Sequence, residues 1–257
     1  MTYNQQPVII ISMKLHKLFD KLRMWYRYGN PPEAQQKLLG LRTDSIDIEF
    51  TAKRLASETS AEYVVQNLRT ATNFASDYDL HEAAVEACDD KLLDAGGLVL
   101  EFGVASGRTI NHFARLLPNA TLHGFDSFEG LPETWNWNFK AGHFSRNDLP
   151  RVRNNVSLHK GWFDQTLYGF LESHKNPIAL LHIDSDLYSS AAYILEALAD
   201  RIVPGTVIVF DEYFNYPGWE QDEFRAWHEA AHRYGFQYEY LGFVSKHQQC
   251  MIKVTQV

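Results

Sequence analysis

Cysteine is nearly absent from this chain. Cys88 and Cys250 are the only two among 257 residues, far apart and without metal-ligand spacing. That excludes a disulfide framework and fits a reducing compartment. Long apolar runs are missing as well. No segment approaches the roughly 20 apolar residues of a bilayer span. The run VIII at 8–11 is too short for a signal-peptide core and has no basic residue before it. A soluble, cytoplasmic protein is the expectation. Positive charge is in deficit, with 24 Lys and Arg against 32 Asp and Glu and a formal charge of −8. This argues against nucleic acid as the main partner, because phosphate is met by a net basic face. Internal repeats and low-complexity tracts are also missing.

Apolar and aromatic side chains, in contrast, are plentiful. The chain is 45% hydrophobic and 14% aromatic, enough to bury the core of one large domain, or of one domain with an added cap. In MKLHKLFDKLRMWYRYG, residues 13–29, Leu15, Leu18, Phe19, Leu22 and Trp25 fall on one helical face, with Lys14, Lys17, Lys21, Arg23 and Arg27 elsewhere. This reads as a helix docked on its own domain or on a second subunit, where it would support a homo-oligomer. A membrane-surface or partner helix is the other reading. Pro31 and Pro32 break the chain at 29–35. Residues 44–95 read as mostly helical, so that residues 1–95 form an N-terminal extension and helical cap ahead of a second region, 96–257.

From residue 98 the pattern alternates. β-type runs at 98–103, 120–126, 156–160, 178–184 and 206–213 are separated, for the most part, by helical stretches at about 107–117, 164–174 and 188–201. Near-continuous apolar strands alternating with helices predict a parallel sheet covered on both faces, an α/β fold. FQYEYLGFV and QQCMIKV then follow with only a short link, which predicts a terminal antiparallel hairpin. Residues 127–155 exceed an ordinary connection. They hold Trp135, Trp137, Phe139, His143 and Phe144, the makings of a lid or substrate wall.

The stretch LVLEFGVASGRTI, residues 98–110, ends a strand and opens a helix. In open α/β sheets ligands sit beyond the carboxyl ends of the strands. Gly103 and Gly107 let a ligand approach bare backbone there. Asp126 ends the next strand, placed to accept hydrogen bonds from two ribose hydroxyls. A nucleoside-containing ligand follows, either a dinucleotide or S-adenosylmethionine. The dinucleotide fingerprint G-x-G-x-x-G is not matched, since the spacing is G-x-x-x-G with Ala105 in the middle and no third glycine. Glu101 just before the turn would repel a diphosphate but suits the ammonium of a methionyl group. Trp162 and Phe163, after the third strand, are flat groups for an adenine, with a core role for one of them as the plainer alternative.

A second cluster is acidic. Asp184 and Asp186 follow the fourth strand, and Asp211 and Glu212 follow the fifth. Neighbouring strands lie about 4.8 Å apart, so these carboxylates converge at the same sheet edge. Crowded carboxylates repel, raise one another's pKa or share a cation. A set of hard oxygen ligands fits Mg²⁺ or a similar divalent ion, to which Asn215 would add a carbonyl. An alcohol beside such an ion loses its proton more easily, and a carboxylate can take it. Asp184 is the first candidate for base and ligand together. His182, in phase with it along the strand, is either a second base or a hydrogen-bonded structural residue. Asp186 is expected to cap the following helix.

Five segments in order, LEFGVASGRTI, GFDSFEGLPE, KGWFDQTL, LLHIDSDLYSS and IVPGTVIVFDEYFNYPGWE, resemble the macrocin O-methyltransferase family of class I S-adenosylmethionine-dependent enzymes, over roughly residues 60–255. The resemblance implies a Rossmann-like sheet of seven strands in the order 3-2-1-4-5-7-6 with an antiparallel last-placed strand. It implies a divalent metal held by Asp184, Asp211 and Glu212. Glu101, Gly103 and Asp126 match the cofactor positions. Ser106 and Gly107 in the turn, with Ser127, Trp162 and Phe163, complete the expected cofactor set. Residues 96–257 would then be the S-adenosylmethionine-binding catalytic domain, acting on a small-molecule hydroxyl acceptor: a sugar or natural product first, a catechol second. A non-catalytic S-adenosylmethionine-binding protein is the reading of a different class.

Overall fold

The computed structural model describes residues 47–257. The amphipathic segment 13–29 and the proline break at 29–35 lie outside the described residues. Glu49–Val257 forms a compact unit. Its chain runs α1 (Ile48–Asn67), β1 (Thr72–Phe74), α2 (Asp77–Ala87), α3 (Asp90–Asp94), β2 (Leu98–Phe102), α4 (Arg108–Leu116), β3 (Leu122–Asp126), β4 (Val156–Lys160), α5 (Phe163–Ser173), β5 (Ile178–Ile183), α6 (Tyr188–Leu198), β6 (Val207–Phe210), α7 (Glu223–Tyr234), β7 (Gln237–Val244) and β8 (Cys250–Gln256).

Among the described residues the strands form one sheet in the order β1-β7-β8-β6-β5-β2-β3-β4. From β2 onward this is the expected seven-strand order. The pairs β2–β3, β2–β5, β3–β4 and β5–β6 are parallel, while β8 runs antiparallel to both β6 and β7. The difference is the eighth strand. Residues 72–74 lie in a stretch read as mostly helical, yet they pair in parallel with β7, Thr72 opposite Gly242 and Phe74 opposite Val244. Three edge residues carry no periodicity of their own, and only the neighbouring strand makes them a strand. Gly242 is what admits them, since a Cβ there would stand 2.3 Å from the Phe74 ring. Helix α7 is a further element the sequence reading did not name. Phe224, Trp227, Ala231 and Tyr234 carry its helical spacing, and Gly235 ends it in the left-handed conformation (φ +78°).

β2, β5 and β6 are buried at every residue, as central strands covered on both faces require. Alternation divides them between two cores. Leu100, Phe102, Leu181, Ile183, Ile208 and Phe210 join the core built with α5, α6 and α7. Val99, Leu180, Val207 and Val209 join the core built with α2 and α4, through Leu80, Ala84, Ile110 and Phe113. Glu101 and His182 are directly opposite in the β2–β5 register, and His182 is opposite Val209 in β5–β6. Both polar residues therefore point into the second core, beneath α2 and α4.

Candidate active site

The carboxyl ends of β2, β3, β5 and β6 open into a cavity of about 310 Å³. Its first wall is the turn after β2. Gly103 adopts φ +90°, and a Cβ on it would fall 1.7 Å from the Asp184 carbonyl oxygen, so only glycine lets the β2 and β5 loops lie together. Asp126 anchors this turn. Its Oδ2 accepts the amides of Val104 (2.9 Å) and Ala105 (2.8 Å), and its Oδ1 accepts that of Phe128 (2.6 Å). A carboxylate offers about four acceptor sites, so Asp126, on the cavity wall, keeps capacity for a ligand hydroxyl. Ser106, Arg108 and Thr109 at the start of α4, with Ser127, Trp162 and Phe163, line the same wall. Phe163 also meets Phe102 edge-on at 5.3 Å, so it is half core and half ligand surface.

Beside this turn the wall is acidic. Asp184, Asp186 and Glu212 line the cavity. Asp184, Asp211 and Glu212 each offer an oxygen, all within 4.8 Å of one another. Burial, then repulsion by Asp211, holds the Asp184 carboxyl well above the usual range. Burial and the charges of Asp211, Asp186 and Asp184 do the same to Glu212, whose Oε2 has no hydrogen-bond partner. Three mutually repelling oxygen donors facing one point fit a divalent cation, which would relieve the repulsion and satisfy the unpaired atoms. Asp186 is pushed up to about 7 by burial and by Asp211 and Asp222.

Residues 100–213 match the family described as a methyltransferase domain. No curated protein matches the chain. Among solved structures, the calicheamicin methyltransferase CalS11 is similar over 82% of this chain and 93% of its own, at 22% identity and a TM-score of 0.54. The O-methyltransferase NovP is similar over 81% of this chain and 100% of its own, at 18% identity and a TM-score of 0.51. The fold is that of the class I methyltransferases.

On this methyltransferase fold the predicted residues separate into two groups. Gly103, Ser106, Asp126, Ser127, Trp162, Phe163, Asp184 and Glu212 share the cavity wall, whereas Glu101, Gly107, His182 and Asp211 are not part of it. Gly107 instead caps α4 in the left-handed conformation (φ +78°). Glu101 is 2% exposed and His182 1% exposed. Oε2 of Glu101 lies 3.1 Å from Nδ1 of His182, and Nε2 of His182 lies 3.7 Å from Oδ1 of Asp211, an ion-pair distance rather than a hydrogen bond. Burial alone would lower the His182 pKa, but Asp211, Glu101 and Asp184 raise it to about 10. Burial likewise works to raise Asp211, and His182 overrides it, holding Asp211 at about 2. So placed, neither Glu101 nor His182 lines the cavity. Each sits inside its strand, pointing into the second core.

Asp186 does not cap α6. Leu187 occupies that position without a side-chain cap bond, while Asp186 is held at φ +61° and turns to the cavity. Asn215 gives its side-chain amide to the His247 carbonyl. Sequence reasoning missed Glu223, the fully buried first residue of α7. Its Oε1 accepts the Ser185 amide (3.0 Å) and its Oε2 the Glu212 amide (3.2 Å), so it ties the loop after β5 to the loop after β6. An acid opening an amphipathic helix was the available signal, though ordinary helix starts carry the same one. The long connection 127–155 is tied down at Trp135, whose Nε1 donates to Asp222 just before α7 (2.8 Å). Phe144 reaches the cavity wall, and Trp137 and Phe144 are exposed. Among the described residues no helix is long and apolar enough to cross a membrane.

Proposed function

We propose that the protein is an S-adenosylmethionine-dependent, divalent-metal-assisted O-methyltransferase of the cytoplasm, that residues 96–257 are its catalytic domain, and that it acts on a hydroxyl of a sugar, glycoside or small natural product. The reading rests on one observation: the convergence of Asp184, Asp211 and Glu212 within 4.8 Å, with Asp184 and Glu212 lining the same cavity as the glycine turn and Asp126. The five motifs that resemble the macrocin O-methyltransferase family support the finer assignment.

S-adenosylmethionine supplies a methyl group on a sulfonium. Asp126 accepts the ribose hydroxyls, Ser106 holds the methionyl carboxylate, and Trp162 and Phe163 flank the adenine. Asp184, Asp211 and Glu212 would hold a divalent ion, which would supply Lewis acidity toward the acceptor hydroxyl. Asp184 accepts that hydroxyl's proton as the oxygen bonds to the methyl carbon and the carbon–sulfur bond breaks. Asp186, titrating near neutrality on the same wall, is the alternative acceptor for the proton. The exposed ring of Phe144 on the cavity wall gives the C–H face of a sugar or an aryl ring a surface to lie on, while the acids meet its hydroxyls.

Calorimetry with S-adenosylmethionine, with Mg²⁺ and with EDTA, followed by turnover on a panel of glycosides and catechols, tests the reading. Asp184→Asn should lower turnover by at least about 100-fold while donor affinity stays within about threefold. Unchanged turnover would remove Asp184 from the mechanism. Donor binding with no turnover across the panel would favour a non-catalytic binding protein.

A further inference from the structure

The core beneath α2 holds unpaired polar atoms that the cavity does not use. His81, on the buried stripe of α2 with Leu80 and Ala84, is 0% exposed, and neither of its ring nitrogens has a hydrogen-bond partner. Nε2 of His182, Oδ1 of Asp211 and Oε1 of Glu101 are also buried and unpartnered. The His81 and His182 rings lie 5.4 Å apart at 71°, and Phe113 packs against both, at 4.9 and 5.6 Å. An imidazolium at 182 would account for Glu101 and Asp211. It would leave the neutral His81 ring beside a positive charge with nothing to donate to and nothing to accept from, and buried polar groups are almost always paired.

We propose that His81, His182 and Asp211 form a buried site for a transition-metal ion of the zinc type, held by one ring nitrogen of His81, Nε2 of His182 and Oδ1 of Asp211. One donor atom from each residue lies within 4.8 Å of the others, and the His182–Asp211 pair is already at 3.7 Å. Ligands about 2.1 Å from a tetrahedral ion stand roughly 3.4 Å from one another, so a closure of a few tenths of an ångström suffices for that pair. Two imidazoles with one carboxylate select a borderline-soft ion such as Zn²⁺, whereas the three-carboxylate set on the cavity side selects a hard one. Glu101 completes the arrangement. It accepts the Nδ1 proton of His182 at 3.1 Å, which leaves the Nε2 lone pair free and aimed at the ion, the carboxylate–histidine–metal pattern. Asp211 stands between the two sets, with Gln249 holding its Oδ2 at 3.2 Å. The proposal does not depend on methyl transfer.

Metal content decides it. Full-length protein freed of any histidine tag, loaded with Zn²⁺ and desalted, is expected to keep about one zinc per chain. Asp184→Asn, which cripples the oxygen set, should keep it too, and His81→Leu should lose at least about nine-tenths of it. Co²⁺ added to metal-stripped wild type should produce the visible d–d bands of a low-coordinate histidine site, and the milder His81→Gln should weaken them. If His81→Leu fails to fold, the wild-type cobalt spectrum and His81→Gln decide. Wild type that retains no zinc and shows no cobalt bands overturns the proposal. So does zinc that survives at His81→Leu or disappears at Asp184→Asn.

Discussion

Asp126 is asked to do two things, and Asp126→Asn separates them. In the structure its carboxylate accepts three backbone amides, two on Oδ2 and one on Oδ1. An asparagine that keeps its carbonyl oxygen on Val104 and Ala105 must turn its NH₂ toward the Phe128 amide, 2.6 Å from the present Oδ1, setting donor against donor. One hydrogen bond to a charged group is lost and one amide is left unpaired, at a cost of about 1.5–3 kcal/mol. For a domain of this size that corresponds to a fall in Tm of about 3–12 °C, read by differential scanning calorimetry. If Asp126 also holds the ribose, losing a charged acceptor should weaken S-adenosylmethionine by about 10- to 100-fold, read by isothermal titration below the variant's Tm. A fall in Tm with unchanged affinity would leave Asp126 as an anchor of the turn and remove its ribose role. A Tm within about 1 °C of wild type together with a Kd within about twofold would refute the reasoning on both counts, because each magnitude exceeds those margins.

Gly103→Ala should destabilise the protein by at least about 2–4 kcal/mol and abolish donor binding, since its Cβ meets the Asp184 carbonyl at 1.7 Å. Gly169→Ala, on α5 with open space around its Cβ, should instead stabilise by about 0.5–1 kcal/mol, and the pair is compared by urea unfolding. Glu223→Ala leaves the Ser185 and Glu212 amides unpaired and should cost about 2–5 kcal/mol, with thermal melts as the check. Acid should weaken the fold through His123. Burial, then the charges of His159 and His174, lowers its pKa from 6.5 to about 4, so between those values the unfolded chain binds the proton and the folded chain does not. Stability is then present at neutral pH and lost as pH falls through that window, by up to about 3 kcal/mol. His123→Phe should flatten the pH dependence of the urea midpoint.

Much of the fold was legible because central parallel strands announce themselves. Val99–Leu100, Leu180–Leu181 and Val207–Phe210 are apolar without interruption, and a strand covered on both faces needs that. The hairpin was legible because no helix fits between β7 and β8. Thr72–Phe74 was not, since three residues become a strand only through the hydrogen bonds of a neighbour. Residues near one another in sequence were easily assigned to the same site and then parted by depth along the strand. Glu101 lies two residues before Gly103, and His182 two before Asp184, in phase with them but inside the strands and buried in the core, while Asp186, expected at a helix start, turns to the cavity.

By itself, the sequence determined which chemistry was on offer: a glycine turn, an acid after the next strand, and carboxylates after two more, all carried to one sheet edge by parallel alternation. That much is local, because each strand delivers its last residues to the same end. Only the tertiary structure decided which of those groups meet a ligand and which meet each other. Glu223 joins the β5 and β6 loops from a distant helix, and His81 reaches His182 from α2, packed on the sheet face into which His182 points. Contacts of that kind follow from how elements pack across a register, and no spacing along the chain records them.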